Sequence, residues 1–138
     1  MTISVRTKIG VGEVRLSEQA IANVSNALSN NRLSYGPWSR QLERRFAAIH
    51  KRRFACFVNS GTDALRIGLV AMKEHYGWPD GAEVLVPAVT FVASYNVVVQ
   101  SGLEPVLVDI EPDYYGIDTE KVYDYLDLNH VEAIMPVN

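Results

Sequence analysis

From Phe54 onward, short runs rich in Val, Ile, Leu and Ala alternate with longer segments whose apolar residues recur at helical spacing. The short runs at residues 54–59, 83–87, 105–110 and 132–137 predict strands. The segments between them predict helices over about 61–75, 91–100 and 119–128. Strands that are apolar throughout are covered on both faces. The rhythm therefore points to an α/β fold, a mainly parallel sheet flanked by helices. With 138 residues, the chain is long enough for one real core.

Two helices are expected ahead of that region. The first runs over 17–29, with Ser17 as its cap and Ile21, Val24 and Leu28 on one face. A loop over 30–37 ends in Pro37, which suits the first turn of a second helix reaching residue 49. Leu42, Phe46 and Ile49 are expected to face inward. Residues 1–16 read as an extended arm, and 17–138 as one partial α/β domain. Gly10-Val11-Gly12 is too short to be a dinucleotide fingerprint.

The junction Phe57-Val58-Asn59-Ser60-Gly61-Thr62-Asp63-Ala64-Leu65 carries the chemistry. A strand that breaks at small residues and restarts as a helix leaves backbone N–H groups free at the helix start. Those groups and the helix dipole suit a phosphate. The same three residues, Ser60-Gly61-Thr62, also make a plain capped turn, and Phe91 alone also suits a core. Asp63, in the first helical turn, has to point away from any phosphate.

Other features are blander. The net charge of −3 gives no electrostatic case for nucleic acid. Arg44, Arg45, Lys51, Arg52 and Arg53 form a local basic patch, read as a solvated helix end or an oligomer contact. The single cysteine, Cys56, is expected in the core. His50, His75 and His130 share no metal-ligand spacing, so no metal site is expected. No apolar run is long enough to span a bilayer. Residues 1–12 lack the apolar segment of a signal peptide, and a cytoplasmic location is the expectation.

Taken in order, several segments resemble the DegT/DnrJ/EryC1/StrS family of pyridoxal-phosphate-dependent nucleotide-sugar aminotransferases. They are Ser34-Tyr35-Gly36-Pro37 with Leu42-Glu43-Arg44-Arg45-Phe46; Val58 to Leu65; Gly81-Ala82-Glu83-Val84-Leu85-Val86-Pro87; Thr90-Phe91-Val92-Ala93; Gly102 to Ile110; and Ala133-Ile134-Met135-Pro136-Val137. Each is weak alone, but the series is specific, and it covers about residues 15–138. The resemblance implies the N-terminal part of a fold-type-I transferase large domain, incomplete here, working as a dimer or other homo-oligomer. Carried over by position, Gly61 and Thr62 bind the cofactor phosphate, Phe91 stacks on its ring, and Ser60 lies in the same turn.

Pyridoxal phosphate also needs a carboxylate at its ring nitrogen and a lysine at its aldehyde. The family places both beyond Val137. Lys8, Lys51, Lys73 and Lys121 are all expected to be surface charges, and Asp109 an ordinary strand-end residue. The chain alone is therefore expected to lack transaminase activity. The resemblance also implies that strand 54–59 pairs with a late strand, leaving it two bare edges. Such a strand invites self-association with exchanged strands, or a rearranged strand order. The helix after Gly61 is apolar nearly all round, so something besides the sheet should cover it, a partner subunit first.

Three functions compete. The first is an aminotransferase moving an amino group, usually from glutamate, to a nucleotide-linked keto sugar; the family also includes dehydratases that replace the lysine. The second is a non-catalytic oligomeric α/β module with weak phosphate binding. The third, a dinucleotide-binding domain with Asp109 on a ribose, is disfavoured because no Gly-x-Gly-x-x-Gly follows a strand.

Overall fold

A computed structural model describes residues 14–31 and 33–137. The expected arm falls almost wholly outside them. The chain divides into two compact units, Met1–Ala55 and Cys56–Asn138.

The first unit holds α1 (Glu18–Ser29) and α2 (Pro37–Ile49). Ser17 caps α1, its hydroxyl accepting from the Ala20 amide at 3.2 Å. Pro37 opens α2, where a missing N–H costs nothing. The expected inward stripe on α2 is corrected: Leu42, Phe46 and Ile49 are 45, 53 and 75 % exposed. Among the described residues of this unit, Ala47 alone is buried. Two short helices without a further layer cannot cover their own apolar faces.

In the second unit the expected strand at 54–59, which starts in the first, is not formed. The segment pairs with no strand among the described residues, and Phe57 and Cys56 are exposed. Strand structure needs a ladder, and an apolar run alone does not supply one. Cys56 is therefore not a core residue.

The remaining elements follow the expected order. These are α3 (Gly61–Tyr76), β1 (Glu83–Pro87), α4 (Ala93–Gln100), β2 (Glu104–Val108), α5 (Thr119–Leu126) and β3 (Ala133–Ile134). Helix α4 starts two residues later than expected, so Phe91 sits in the loop before it. Strand β3 is only two residues long, shorter than the expected 132–137.

The sheet order is β2-β1-β3, with both pairings parallel. Glu83 faces Glu104 in register, and Val84 faces Ala133. Central strand β1 explains the two-faced core. Val84 and Val86 face one way, onto Leu69 of α3 and Val97 and Val98 of α4. Leu85 faces the other way, with Val108 and Val122 of α5. Val84, Leu85 and Val86 are each 0 % exposed. Burying each such side chain is worth about 1.5–3 kcal/mol. The apolar run needs no alternation because both faces are covered.

Helix α3 is buried on one side only. Leu69 is buried, while Leu65, Ile67 and Met72 are 40, 46 and 42 % exposed. Its C-terminus is closed by Gly77 at φ 70°, whose left-handed conformation suits glycine. At that end Lys73 is not the expected surface charge. Its side chain is 18 % exposed, and its ammonium donates to the Asp80 carboxylate and, at 2.9 Å, to the Ser101 carbonyl. No helix of the described residues is long and apolar enough to cross a membrane.

Candidate functional site

All three strands run the same way, so their carboxyl ends share one end of the sheet. There the loop after β1 and the chain after β3 meet the N-terminus of α3. Together they line an open cavity of about 570 Å³. Helix α3 contributes Gly61, Thr62, Ala64 and Leu65. The loop after β1 and the start of α4 contribute Thr90, Phe91, Ala93 and Ser94. Met135, Pro136 and Val137 close the β3 side. The crevice beyond the carboxyl ends of parallel strands is where open α/β sheets bind ligands.

The start of α3 is built to leave donors open. Ser60 is its N-cap, in extended conformation at φ −154°. The Ser60 hydroxyl accepts from the Asp63 amide at 3.1 Å, and the Ser60 carbonyl accepts from the Ala64 amide at 3.0 Å. The Gly61 and Thr62 amides come before the first intrahelical bond, so the helix itself gives them no acceptor. A Cβ placed on Gly61 meets nothing within 4 Å, so the space beside its Cα is open.

The Asp63 carboxylate bridges the helix start and the next turn, its Oδ2 accepting from the Ser60 hydroxyl at 3.3 Å. Its Oδ1 accepts from Arg66 Nε at 3.1 Å and Nη2 at 2.8 Å. Those hydrogen bonds from Arg66 hold its carboxyl below the usual range, against the opposing effect of desolvation. Asp63 is not among the cavity-lining residues.

Phe91 is 74 % exposed at the cavity wall. An aromatic ring held open to solvent on a loop offers a face to a flat ligand. Beside it, Thr90 Oγ1 and Ser94 Oγ lie 2.9 Å apart.

Of the four residues expected at a cofactor site, Gly61, Thr62 and Phe91 line this one cavity. Ser60 does not line it, and its hydroxyl is engaged in capping. Thr90, Met135 and Pro136 lie in segments that carry the resemblance but take no site role from it, and Ser94 lies outside them. Their position after parallel strands was the available signal.

The cavity fits part of a phosphorylated aromatic cofactor. Open amides at a helix N-terminus suit the phosphate, and Phe91 suits the ring. No lysine or carboxylate is among the described residues that line it. Asp109 is used locally, its side chain accepting from the Ile110 amide at 2.9 Å.

A parallel sheet between helices, with this pocket at its carboxyl edge, is the architecture of a partial fold-type-I pyridoxal-phosphate-dependent transferase domain. The model of the DegT/DnrJ/EryC1/StrS aminotransferase family matches residues 14–138, and the chain belongs to that family. It is 32 % identical over 121 residues to the 3-oxo-glucose-6-phosphate:glutamate aminotransferase of Bacillus subtilis (strain 168), covering 88 % of this chain and 26 % of that protein. It is 39 % identical over 105 residues to GDP-perosamine synthase of Caulobacter vibrioides, covering 76 % of this chain and 27 % of that one. Among solved structures, a Streptococcus pneumoniae protein assigned as a sugar aminotransferase, in its pyridoxal-phosphate form, superposes with a TM-score of 0.70 at 31 % identity. That match covers 80 % of this chain and 27 % of the other. The chain thus spans about a quarter of the length of the curated relatives it matches. Pyridoxal phosphate and its amine form are the cofactors of its structural relatives.

Proposed function

We propose that this chain supplies the phosphate-anchoring and ring-covering part of a pyridoxal-phosphate-dependent aminotransferase acting on a nucleotide-linked keto sugar. The single observation that carries this is the meeting of Gly61, Thr62 and Phe91 in one cavity, in a chain of this family. When bound, the cofactor supplies the electron sink through which an amino group leaves its donor and enters the sugar.

The chain's own residues bind and orient. The Gly61 and Thr62 amides, with the dipole of α3 behind them, take the phosphate oxygens. Ser60 keeps that helix start in shape by capping it. Arg66 pairs with the Asp63 carboxylate, which offsets a negative charge near the start of the helix. Phe91 covers one face of the ring and excludes water from it.

Two chemistries are open for the acceptor. GDP-perosamine synthase is named for a nucleotide sugar, which favours the reading above. The Bacillus relative is named for a hexose phosphate, which favours a simple sugar phosphate as second reading. Both names concern sugars, and the second also names glutamate as donor. We take the chain by itself to lack transaminase activity, since no described lysine lines the cavity. We also take it to self-associate, the exposed Ile67 and Met72 of α3 belonging to the surface that a partner would cover.

The test is an assay of the native product that contains this chain, with glutamate and a nucleotide-linked keto sugar. Equal amounts of 2-oxoglutarate and amino sugar are expected. Binding of a dinucleotide without 2-oxoglutarate release would contradict the proposal.

A further inference from the structure

Thr90 and Ser94 flank Phe91 and form a hydroxyl pair at the cavity wall, 2.9 Å apart. A hydroxyl carries one proton and two lone pairs. In a pair, one proton is spent between the two oxygens. The other remains to be donated elsewhere. Ser94 is 5 % exposed and lies on α4, whereas Thr90 is half-buried in the loop. The more open oxygen is therefore Thr90 Oγ1. When Ser94 donates to Thr90, the Thr90 proton is the one left over, in a cavity that also holds the Gly61 and Thr62 amides.

We propose that the Thr90 hydroxyl, polarised by Ser94, is a further donor to the oxyanion held at the start of α3. The proposal rests on the cofactor reading above and adds to it a side-chain contact from the loop after β1, which lines the same cavity. A dianion at that place fixes the direction of the relay: Ser94 donates to Thr90, and Thr90 donates to the anion. Hydrogen bonds arranged head to tail strengthen one another, and a charged acceptor strengthens the last one most. The ligand class is a phosphate monoester. The arrangement also links the anion to the loop that carries Phe91, because Thr90 precedes that residue and Ser94 N donates to the Phe91 carbonyl at 3.0 Å.

The test titrates the full chain with pyridoxamine 5′-phosphate and, separately, with pyridoxamine, following amide shifts by NMR. Neither probe has an aldehyde to react with surface lysines. Thr90→Val keeps shape and removes the donor. It should weaken the phosphorylated probe roughly tenfold, as expected for a lost hydrogen bond to a charged group. Pyridoxamine binding should not change. Ser94→Ala should weaken the phosphorylated probe about two- to threefold, by removing the polarising partner only. Thr90→Ser should restore binding, which separates donor loss from misfolding. Unchanged affinity in Thr90→Val would overturn the proposal, and so would equal weakening for both probes. A wild-type titration that leaves the Gly61 and Thr62 amides unmoved would overturn the cofactor reading itself, and this donor with it.

Discussion

Lys73 donates to the Ser101 carbonyl at 2.9 Å, and so pins the last turn of α3 to the C-cap of α4. The two residues are 28 apart in sequence and meet at the amino end of the sheet, away from the cavity. The energy resides on the Lys73–Ser101 side, because Asp80, the other acceptor, is 91 % exposed and largely solvated. Lys73→Met should cost about 1.5–3 kcal/mol in urea unfolding, as for a lost hydrogen bond to a charged group. Asp80→Asn should cost well under half as much. Equal costs would place the staple in the ion pair instead.

Gly102 sits under the same cluster. Its φ is +68°, and a Cβ there would stand 3.1 Å from Lys73 Nζ and 3.2 Å from Asp80 Oδ1. Gly102→Ala should lose about 1–2 kcal/mol from the left-handed conformation alone. Gly61→Ala is its counterpart. The added Cβ meets nothing within 4 Å, so stability should hold within about 0.5 kcal/mol. Pyridoxamine 5′-phosphate binding should nonetheless weaken, because the methyl occupies ligand space. Thermal melts and the same titration on both variants check the contrast.

Leu85 is fully buried in the central strand and packs toward Val108 and Val122. Leu85→Ala should destabilise by about 2–5 kcal/mol. A comparable cost for Ile67→Ala, on the open side of α3, is not expected in monomer. If Ile67→Ala does cost that much and the cost grows with protein concentration, α3 is covered by a second copy in solution.

Glu111 organises the loop between β2 and α5. Its carboxylate accepts from the amides of Asp113 at 2.8 Å, Tyr114 at 2.8 Å and Gly116 at 3.0 Å. Desolvation pushes its pKa up, but the three amides outweigh it and the net shift is downward from 4.5. A carboxyl lowered in the folded state contributes stability above its unfolded pKa, and that contribution is lost as pH falls through the folded value. Amide protection in residues 113–116 should therefore be full at pH 6 and fall only below about pH 4.5. Glu111→Gln should remove that pH dependence. Protection that declines between pH 7 and 5 would contradict the assignment.

Much of this fold is legible in the sequence because local signals agree with tertiary ones. Ser17 and Ser60 both cap helices, and Gly77 and Gly102 both take left-handed conformations. Residues 83–87 are apolar because both faces of β1 are covered. The reading fails where partners are distant. The run 54–59 looks like a strand, yet strand pairing depends on a neighbour that no local pattern can report. The stripe Leu42, Phe46 and Ile49 marks a face that needs cover without saying what covers it. Lys73 looks like a surface charge because its acceptor, Ser101, lies far along the chain. At the site, Gly61, Thr62 and Phe91 are legible through turn chemistry and family order. Thr90 and Pro136 sit in the same family-ordered segments without a role assigned to them, and Ser94 is brought there by the parallel sheet alone.

The account stands or falls on the cavity between the start of α3 and the Phe91 loop. The direct measurement is a heteronuclear NMR titration of the full chain with pyridoxamine 5′-phosphate, with intermolecular NOEs collected at saturation. The account predicts the largest amide shifts at Gly61 and Thr62 and NOEs between the Phe91 ring and the ligand ring. Shifts confined to residues elsewhere, or a bound ligand with no contact to Phe91, would contradict it.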